Sequence, residues 1–364
     1  MNGYYKYIHV FYHDELKFSK HLLEFFHDDE TGIDNSEHYF VTPHKSVYEG
    51  LKEYDNVEYI PVKVPRSEEI VNKIGDNCNW IFLHNICGVK GTLKFKHKYA
   101  KKIIWRYWGA KSLEGFSYTK NRIKNSFVFV INRCVYRQVH RFKAIGVAND
   151  VDVDVLKSLF GEHNYFREPY PVKGAYEHIQ SLINNAKPNN DGYYRIMVGH
   201  SGFDEDKHIK YVEELKKHCD KGLKLYMVLS YGDSEYIEKV KNYVSTCGAD
   251  VEIIDDFLEY NDFVKLLCKM DAAILDAKYS YALGNIGIYL RTGKKLFLNA
   301  DGVLAQSFSK NGVPFVYTKD IKNMSFEELT KPLDYSDVSL DWFTSGNYNN
   351  QIDRWKMILN FLNA

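Results

Sequence analysis

Short apolar runs alternate with amphipathic stretches along the whole chain. In the first half, Tyr5–Tyr12, His38–Val41, Val57–Ile60, Trp80–Leu83, Ile103–Tyr107, Phe127–Ile131 and Ala144–Ala148 have strand length and composition. Leu16–Phe26 and Glu68–Ile74 read as helices between them. Near-continuous apolar strands separated by helices argue for βα units and a mostly parallel sheet. The rhythm stops near Pro169 and Pro171, and a polar stretch from Asn184 to Gly192 follows. It then restarts with strands Tyr194–Val198, Leu223–Leu229, Val251–Ile254, Ala272–Leu275 and Lys295–Leu298. Helices are expected at about Glu205–His218, Ser234–Val244, Asn261–Met270 and Asn285–Arg291. Asn347–Leu362 closes the pattern as a helix with Ile352, Trp355 and Leu359 on one face. The expectation is an α/β protein of two doubly wound, Rossmann-like domains facing a cleft: 1–170, a linker at 171–192, 193–345, and a C-terminal helix at 346–364. Ligands in such sheets bind beyond the carboxyl ends of the strands.

Composition narrows this picture. A length of 364 residues suits two domains at roughly 150 residues each. Six cysteines without a CxxC pair argue against a zinc knuckle or a thioredoxin-type motif. MNGYYKYIHVFY carries no basic segment followed by a long apolar run, so no signal peptide is expected. No stretch reaches the ~18 apolar residues of a membrane span. These features predict a cytoplasmic protein whose membrane contact is peripheral. The formal net charge is zero, yet Lys90–Lys143 holds 15 Lys or Arg residues and one acid, Glu114. That excess, interleaved with aromatic residues, fits an anionic membrane surface or a polyprenyl-diphosphate. No nucleic-acid module accompanies it, so nucleic acid is not expected as a partner.

Four features could carry chemistry. Gly199-His200-Ser201-Gly202 lies between a strand and a helix, where small residues let a diphosphate approach backbone amides. Asp204, Glu205 and Asp206 follow at once and would repel an anion, so a plain tight turn is the other reading. Gly284, Asn285 and Gly287 open a second helix beyond a strand, with Asn285 as its expected N-cap. Trp105 and Trp108 flank Arg106-Tyr107; Trp105 reads as core and Trp108, with Gly109, as pocket lining suited to a sugar face. His84, His13 and Asp14, which stand at strand ends, and His140 are the general-base candidates. Asp150-Val151-Asp152 reads as a helix start rather than a metal-binding strand end. No divalent metal and no cofactor are therefore expected.

Three stretches resemble a known family. WRYWGAKSLEG (Trp105–Gly115), VGHSGFDEDKH (Val198–His208) and YALGNIGIYLRTGKKLFLN (Tyr281–Asn299) are similar to glycosyltransferase family 56. Its members are the bacterial TDP-4-acetamido-4,6-dideoxygalactose (TDP-Fuc4NAc) transferases of enterobacterial common antigen synthesis. The resemblance runs from about Tyr7 to Pro332. It implies a GT-B fold, a TDP- or UDP-sugar donor held in the second domain, and a polyprenyl-diphosphate-linked glycan as acceptor. By position it carries over Gly199, Ser201, Gly202, Gly284 and Gly287 for the donor, and Trp105, Trp108, Gly109 and Ala110 for the tryptophan motif. By analogy with other GT-B enzymes the nucleobase would lie near Asp256, Phe257 and Leu258. Two positions depart: Lys111 stands where the family usually has aspartate, and His200 where it has asparagine. They leave the donor sugar open.

The expected function is glycosyl transfer in bacterial surface polysaccharide or O-antigen synthesis, at the inner face of the plasma membrane. A nucleotide-sugar 2-epimerase would need no lipid acceptor and no basic face. A non-catalytic membrane- or glycan-binding protein would need no glycine loops.

Overall fold

The computed structural model describes residues 3–62, 67–86, 89–109, 122–187, 189–340, 343 and 346–364. Contacts divide the chain into two compact units, Met1–Tyr176 with Ser345–Ala364, and Glu177–Thr344.

The first unit holds a parallel sheet of strands β1 (Tyr5–Phe11), β2 (His38–Thr42), β3 (Val57–Tyr59), β4 (Cys78–His84), β5 (Ile103–Arg106), β6 (Ala144–Val147) and β7 (Tyr165–Arg167). Their order is β3-β2-β1-β4-β5-β6-β7. The order reverses direction beside β1, the switch point at which such sheets bind ligands. From Tyr7 onward β1 alternates: Ile8, Val10 and, just beyond the strand, Tyr12 enter one core, while Tyr7 and Phe11 enter the other. Both faces are covered, which is why the central strands are apolar throughout.

The second of those cores is closed by the C-terminal helix Tyr348–Asn363. Asn347 caps it, its side chain accepting a bond from the Asn350 amide. Ile352, Trp355, Ile358, Leu359 and Leu362 are buried against Tyr7, Phe26 and Phe82. Trp355 Nε1 donates to the Pro169 carbonyl at 3.0 Å. The helix therefore belongs to the first unit although it follows the second in sequence.

The second unit repeats the plan with β8 (Tyr194–Val198), β9 (Leu223–Val228), β10 (Val251–Ile254), β11 (Ala272–Leu275), β12 (Lys295–Leu298) and β13 (Val316–Tyr317), ordered β10-β9-β8-β11-β12-β13. Every pairing is parallel. The segment 171–192, expected as a linker, contains the helix Ala175–Asn184, which crosses the boundary between units. Asn189 Nδ2 donates to the Lys269 carbonyl at 2.6 Å, so the polar stretch is tied to the second unit.

One expected strand is wrong. Phe127–Ile131 lies inside the helix Arg122–Val139. The run looked like a strand because five apolar residues are contiguous. The buried positions further on, Val135 and Val139, are spaced four apart and Ile131 packs on the same core. That helical period overrides the short run. Phe129 and Val130 then face outward, 53% and 59% exposed.

Replacing Trp355 with alanine is expected to lower stability by about 4 kcal/mol, through the lost aromatic volume and the cavity it leaves. Urea unfolding followed by circular dichroism measures this; a loss under about 1 kcal/mol would mean that the C-terminal helix is dispensable to the first unit.

Candidate functional site

In the first unit the carboxyl ends of β1, β4, β5 and β7 gather the polar residues. His84 is the last residue of β4 and is fully buried. Its Nε2 lies 3.1 Å from His9 Nδ1, and His9 Nε2 lies 2.9 Å from His38 Nδ1. On the other side Tyr170 Oη lies 2.6 Å from His84 Nδ1, and Glu168 Oε1 lies 3.4 Å from the same nitrogen. Burial, with neighbouring imidazoles, pushes the pKa of His9 far down; burial, with His13 and Arg106, does the same to His84. His84 thus stands at the strand end as expected, but as an inner link of a hydrogen-bonded chain without solvent access.

His13 stacks on Trp108 at 4.2 Å and 20°, and burial takes it down to about 4. Asp14 is exposed. Trp105 is core, while Trp108 is half-buried beside Phe18 and Tyr170. Gly109 turns the chain with φ +90°, a conformation that favours glycine. Lys111 and Ala110 lie outside the described residues. Three residues escaped the sequence reading. Arg106 sits inside the WRYW motif but is buried. Glu168 and Tyr170 flank Pro169 directly after β7, in a stretch where the periodic pattern stops. The signal available was position: a charged residue at the carboxyl end of a strand. Burial raises the Glu168 carboxyl to about 7, although Arg106 pulls it down.

In the second unit the loop after β8 is built around its own anion. Asp206 Oδ2 accepts from the His200 amide at 3.1 Å, the Ser201 amide at 3.0 Å and Ser201 Oγ at 2.9 Å. Its Oδ1 lies 3.1 Å from His200 Nδ1. Burial works against this carboxylate, but the bonds and charge of His200 hold its pKa below the usual range. The Gly202 amide donates to Tyr231 O and the Gly199 amide to Ile274 O. In this conformation the loop amides that were to hold a diphosphate are therefore taken. Glycine is needed here for packing: a Cβ on Gly202 would meet Ile237 Cγ1 at 2.4 Å and Tyr231 O at 2.9 Å. Asp204–Asp206 form a 3₁₀ turn and the helix begins only at His208.

The second glycine segment differs. Helix Leu283–Arg291 starts after Ala282, whose φ is +56°, and has no side-chain cap. Asn285 is the third residue of the helix rather than its N-cap, because the left-handed Ala282 sets the start earlier. Gly284 has open space around its Cα, whereas Gly287 is buried. Tyr281, half exposed, lies 5.9 Å from the His200 ring. Phe257 follows β10 and is 83% exposed, with Leu258 half-buried beside it. Asp276, at the end of β11, holds Lys207 at 2.6 Å and Thr318 Oγ1 at 2.8 Å. Among the described residues, no three His, Cys, Asp or Glu side chains form a group that could hold a metal.

Two doubly wound parallel α/β units in one chain define the GT-B class of fold. Solved structures share it across the full chain. A glycosyltransferase from Rickettsia africae ESF-5 superposes with a TM-score of 0.61 at 13% identity, covering 100% of this chain and 99% of that one. HepE of Anabaena in complex with UDP and glucose gives 0.59 at 12% identity, covering 98% and 100%. A UDP-forming trehalose-phosphate synthase from Burkholderia xenovorans gives 0.58 at 10%, covering 99% of each. No curated protein matches the sequence. The profile of the family described as 4-alpha-L-fucosyltransferase, glycosyl transferase group 56, matches residues 4–363. The chain belongs to that family and is a glycosyltransferase.

The buried histidines fix a pH dependence. Their ordinary pKa is 6.5; folding lowers His13 and His208 to about 4 and His38 to about 3, and holds His9 and His84 well below the ordinary value. The stability they confer is complete above pH 6.5 and is lost as acidity rises, because the unfolded chain takes protons that the folded chain refuses. Glu168 acts oppositely: its contribution is complete below the ordinary 4.5 and is lost as pH rises through about 7. Burial raises the Glu214 carboxyl as well, but five imidazoles outweigh two carboxyls, so the urea midpoint is expected to fall from pH 7 to pH 5. A midpoint that is flat or rising over that range would contradict the buried chain.

Proposed function

We propose that this glycosyltransferase takes a sugar from a thymidine or uridine diphosphate donor bound in the second unit. The acceptor in this reading is a polyprenyl-diphosphate-linked glycan in bacterial surface polysaccharide synthesis, with Fuc4NAc the first donor sugar to test. The observation that carries the donor reading is the uncapped first turn of helix Leu283–Arg291 at the carboxyl edge of β11. Unpaired amides and the positive end of the helix dipole favour a diphosphate there. The open space at Gly284 and the neighbouring Tyr281 and His200 rings support it. Phe257 offers an exposed ring beside the same sheet for a nucleobase. HepE, which shares the fold, is complexed with UDP and glucose.

The membrane part of the reading rests on helix Arg122–Val139. Phe129, Val130 and Tyr136 are exposed on it together with Arg133 and Arg137. Basic side chains around exposed apolar ones suit an anionic bilayer, at about 1 kcal/mol per basic residue near the surface. The upstream lysines contribute less than their number suggests. Lys94 pairs with Glu68 at 3.3 Å and Lys98 with Asp76 at 2.8 Å. Lys102 donates to the Gly75 and Cys78 carbonyls. No helix among the described residues is long and apolar enough to cross a membrane.

The test is release of nucleoside diphosphate from a panel of TDP- and UDP-sugars, with and without a lipid-diphosphate glycan. Release that needs the acceptor supports the reading; conversion of the donor without acceptor points to the epimerase alternative. Gly284→Asp is expected to weaken nucleotide-sugar binding at least tenfold, about 1.4 kcal/mol, by placing a carboxylate in the first turn. The added side chain has open space, so calorimetry reads binding rather than misfolding. Unchanged affinity would remove the helix terminus from the donor site. The double substitution Phe129→Glu, Val130→Glu is expected to cut co-sedimentation with phosphatidylglycerol vesicles at least tenfold. Equal pelleting of variant and wild type would place membrane contact elsewhere.

A further inference from the structure

At the carboxyl edge of the first sheet, polar atoms are buried without hydrogen-bond partners. They are His13 Nδ1 and Nε2, Arg106 Nε and Nη1, and both carboxyl oxygens of Glu168. His13 is 5% exposed, Arg106 5% and Glu168 0%. Leaving two guanidinium nitrogens and a carboxyl without hydrogen bonds inside a protein is costly. The fold nonetheless fixes both. A Cβ on Gly146 of β6 would come within 2.1 Å of Glu168 Oε2, so glycine leaves the carboxyl its room. The His84–His9–His38 chain engages the far side of the cluster. Trp108 and Tyr170, both half-buried, stand over it with ring centroids 5.6 Å apart.

We infer that Arg106, Glu168 and His13 form the subsite for the reacting sugar of the acceptor, with Glu168 taking the proton of its hydroxyl. The donor and acceptor belong to the function proposed above, and this inference rests on that reading. The ligand class follows from the donor and acceptor count. An anion would satisfy Arg106 but meet the Glu168 carboxylate. A cation would satisfy Glu168 but meet Arg106. A sugar hydroxyl accepts from Arg106 and donates to Glu168, and the C–H face of the ring suits Trp108. Entry requires the Trp108 and Tyr170 rings to swing aside, since they shield the polar atoms in this conformation.

The chemical step balances. The acceptor oxygen bonds to C1 of the donor sugar while its proton passes to the Glu168 carboxylate. The C1–O bond to the diphosphate breaks, and the nucleoside diphosphate leaves with the electron pair. Glu168 then returns the proton to water. A carboxyl raised by burial to about 7 suits a base acting at neutral pH. The groups facing it are Arg106 from β5, His84 from β4, Tyr170 from its own segment and, through His84, His13.

The test uses the full chain. Glu168→Gln is expected to lower acceptor-dependent release of nucleoside diphosphate at least a hundredfold. Nucleotide-sugar affinity should stay within twofold, and the acid limb of the rate profile near pH 7 should vanish. Glu168→Asp should restore part of the rate together with a displaced acid limb, which a purely structural role would not produce. Arg106→Lys should raise the acceptor KM more than it lowers kcat. A Glu168→Gln enzyme within threefold of wild type, or one that keeps the acid limb, overturns the assignment. A second measurement does not depend on turnover. Saturation-transfer NMR with methyl glycosides of glucose and N-acetylglucosamine should show contact in wild type and lose it in Glu168→Gln and Arg106→Lys. Absence of contact in wild type also overturns it, whereas contact without any nucleotide-sugar binding would sink the function proposed above and leave this subsite standing.

Discussion

A line of hydrogen bonds across the middle of the first sheet sets the terms for the rest of that unit. His38, His9 and His84 lie on β2, β1 and β4, on the face that also carries Phe40 and Phe82. Imidazoles in an aromatic layer are costly unless their nitrogens are paired, and of the six ring nitrogens here all but His38 Nε2 have a partner. Each of these rings binds the next, and His84 passes the line to Tyr170 at the sheet edge. The C-terminal helix must then seal the layer, and it does so with Trp355 against His9, Phe26 and Phe82. The same tryptophan holds the Pro169 carbonyl, so the seal and the placing of Glu168 and Tyr170 are one piece of architecture.

Glycine plays different parts at the two loops of the second unit. After β8 the backbone itself is the packing partner: Gly202 and Gly232 form a bridge, and a Cβ on Gly232 would meet the Gly202 carbonyl oxygen at 2.4 Å. Asp206 turns the loop amides inward. At Gly284 nothing crowds the backbone and the first turn is uncapped. One loop uses glycine to close upon itself; the other keeps a helix terminus accessible.

Much of the fold was legible in the chain because parallel strands buried on both faces leave long apolar runs. Strands Val251–Ile254, Ala272–Leu275 and Lys295–Leu298 match residue for residue. Phe127–Ile131 misled because five contiguous apolar residues fit a strand or one stretch of a longer helix. β7 was missed because Tyr165–Arg167 is three residues of partly exposed chain without alternation. The site was less legible. His84 and Trp108 could be placed from strand ends, but whether an imidazole reaches solvent depends on residues 29, 75 and 86 positions away in sequence. Arg106 looked like one more member of a basic run, and only burial separates it from Arg133 and Arg137. Asp206 was read as repelling an anion, when it is the anion around which the loop is folded.

The return of helix Tyr348–Asn363 to the first unit also bears on the order of assembly during synthesis. Every residue of the second unit's sheet precedes that helix in the chain. The second unit can complete its core while the first still has one aromatic face uncovered. Until residues 348–363 have been made, Tyr7, Phe26, Phe82 and the three linked histidines lack their cover. Strands made before the second unit are therefore finished after it.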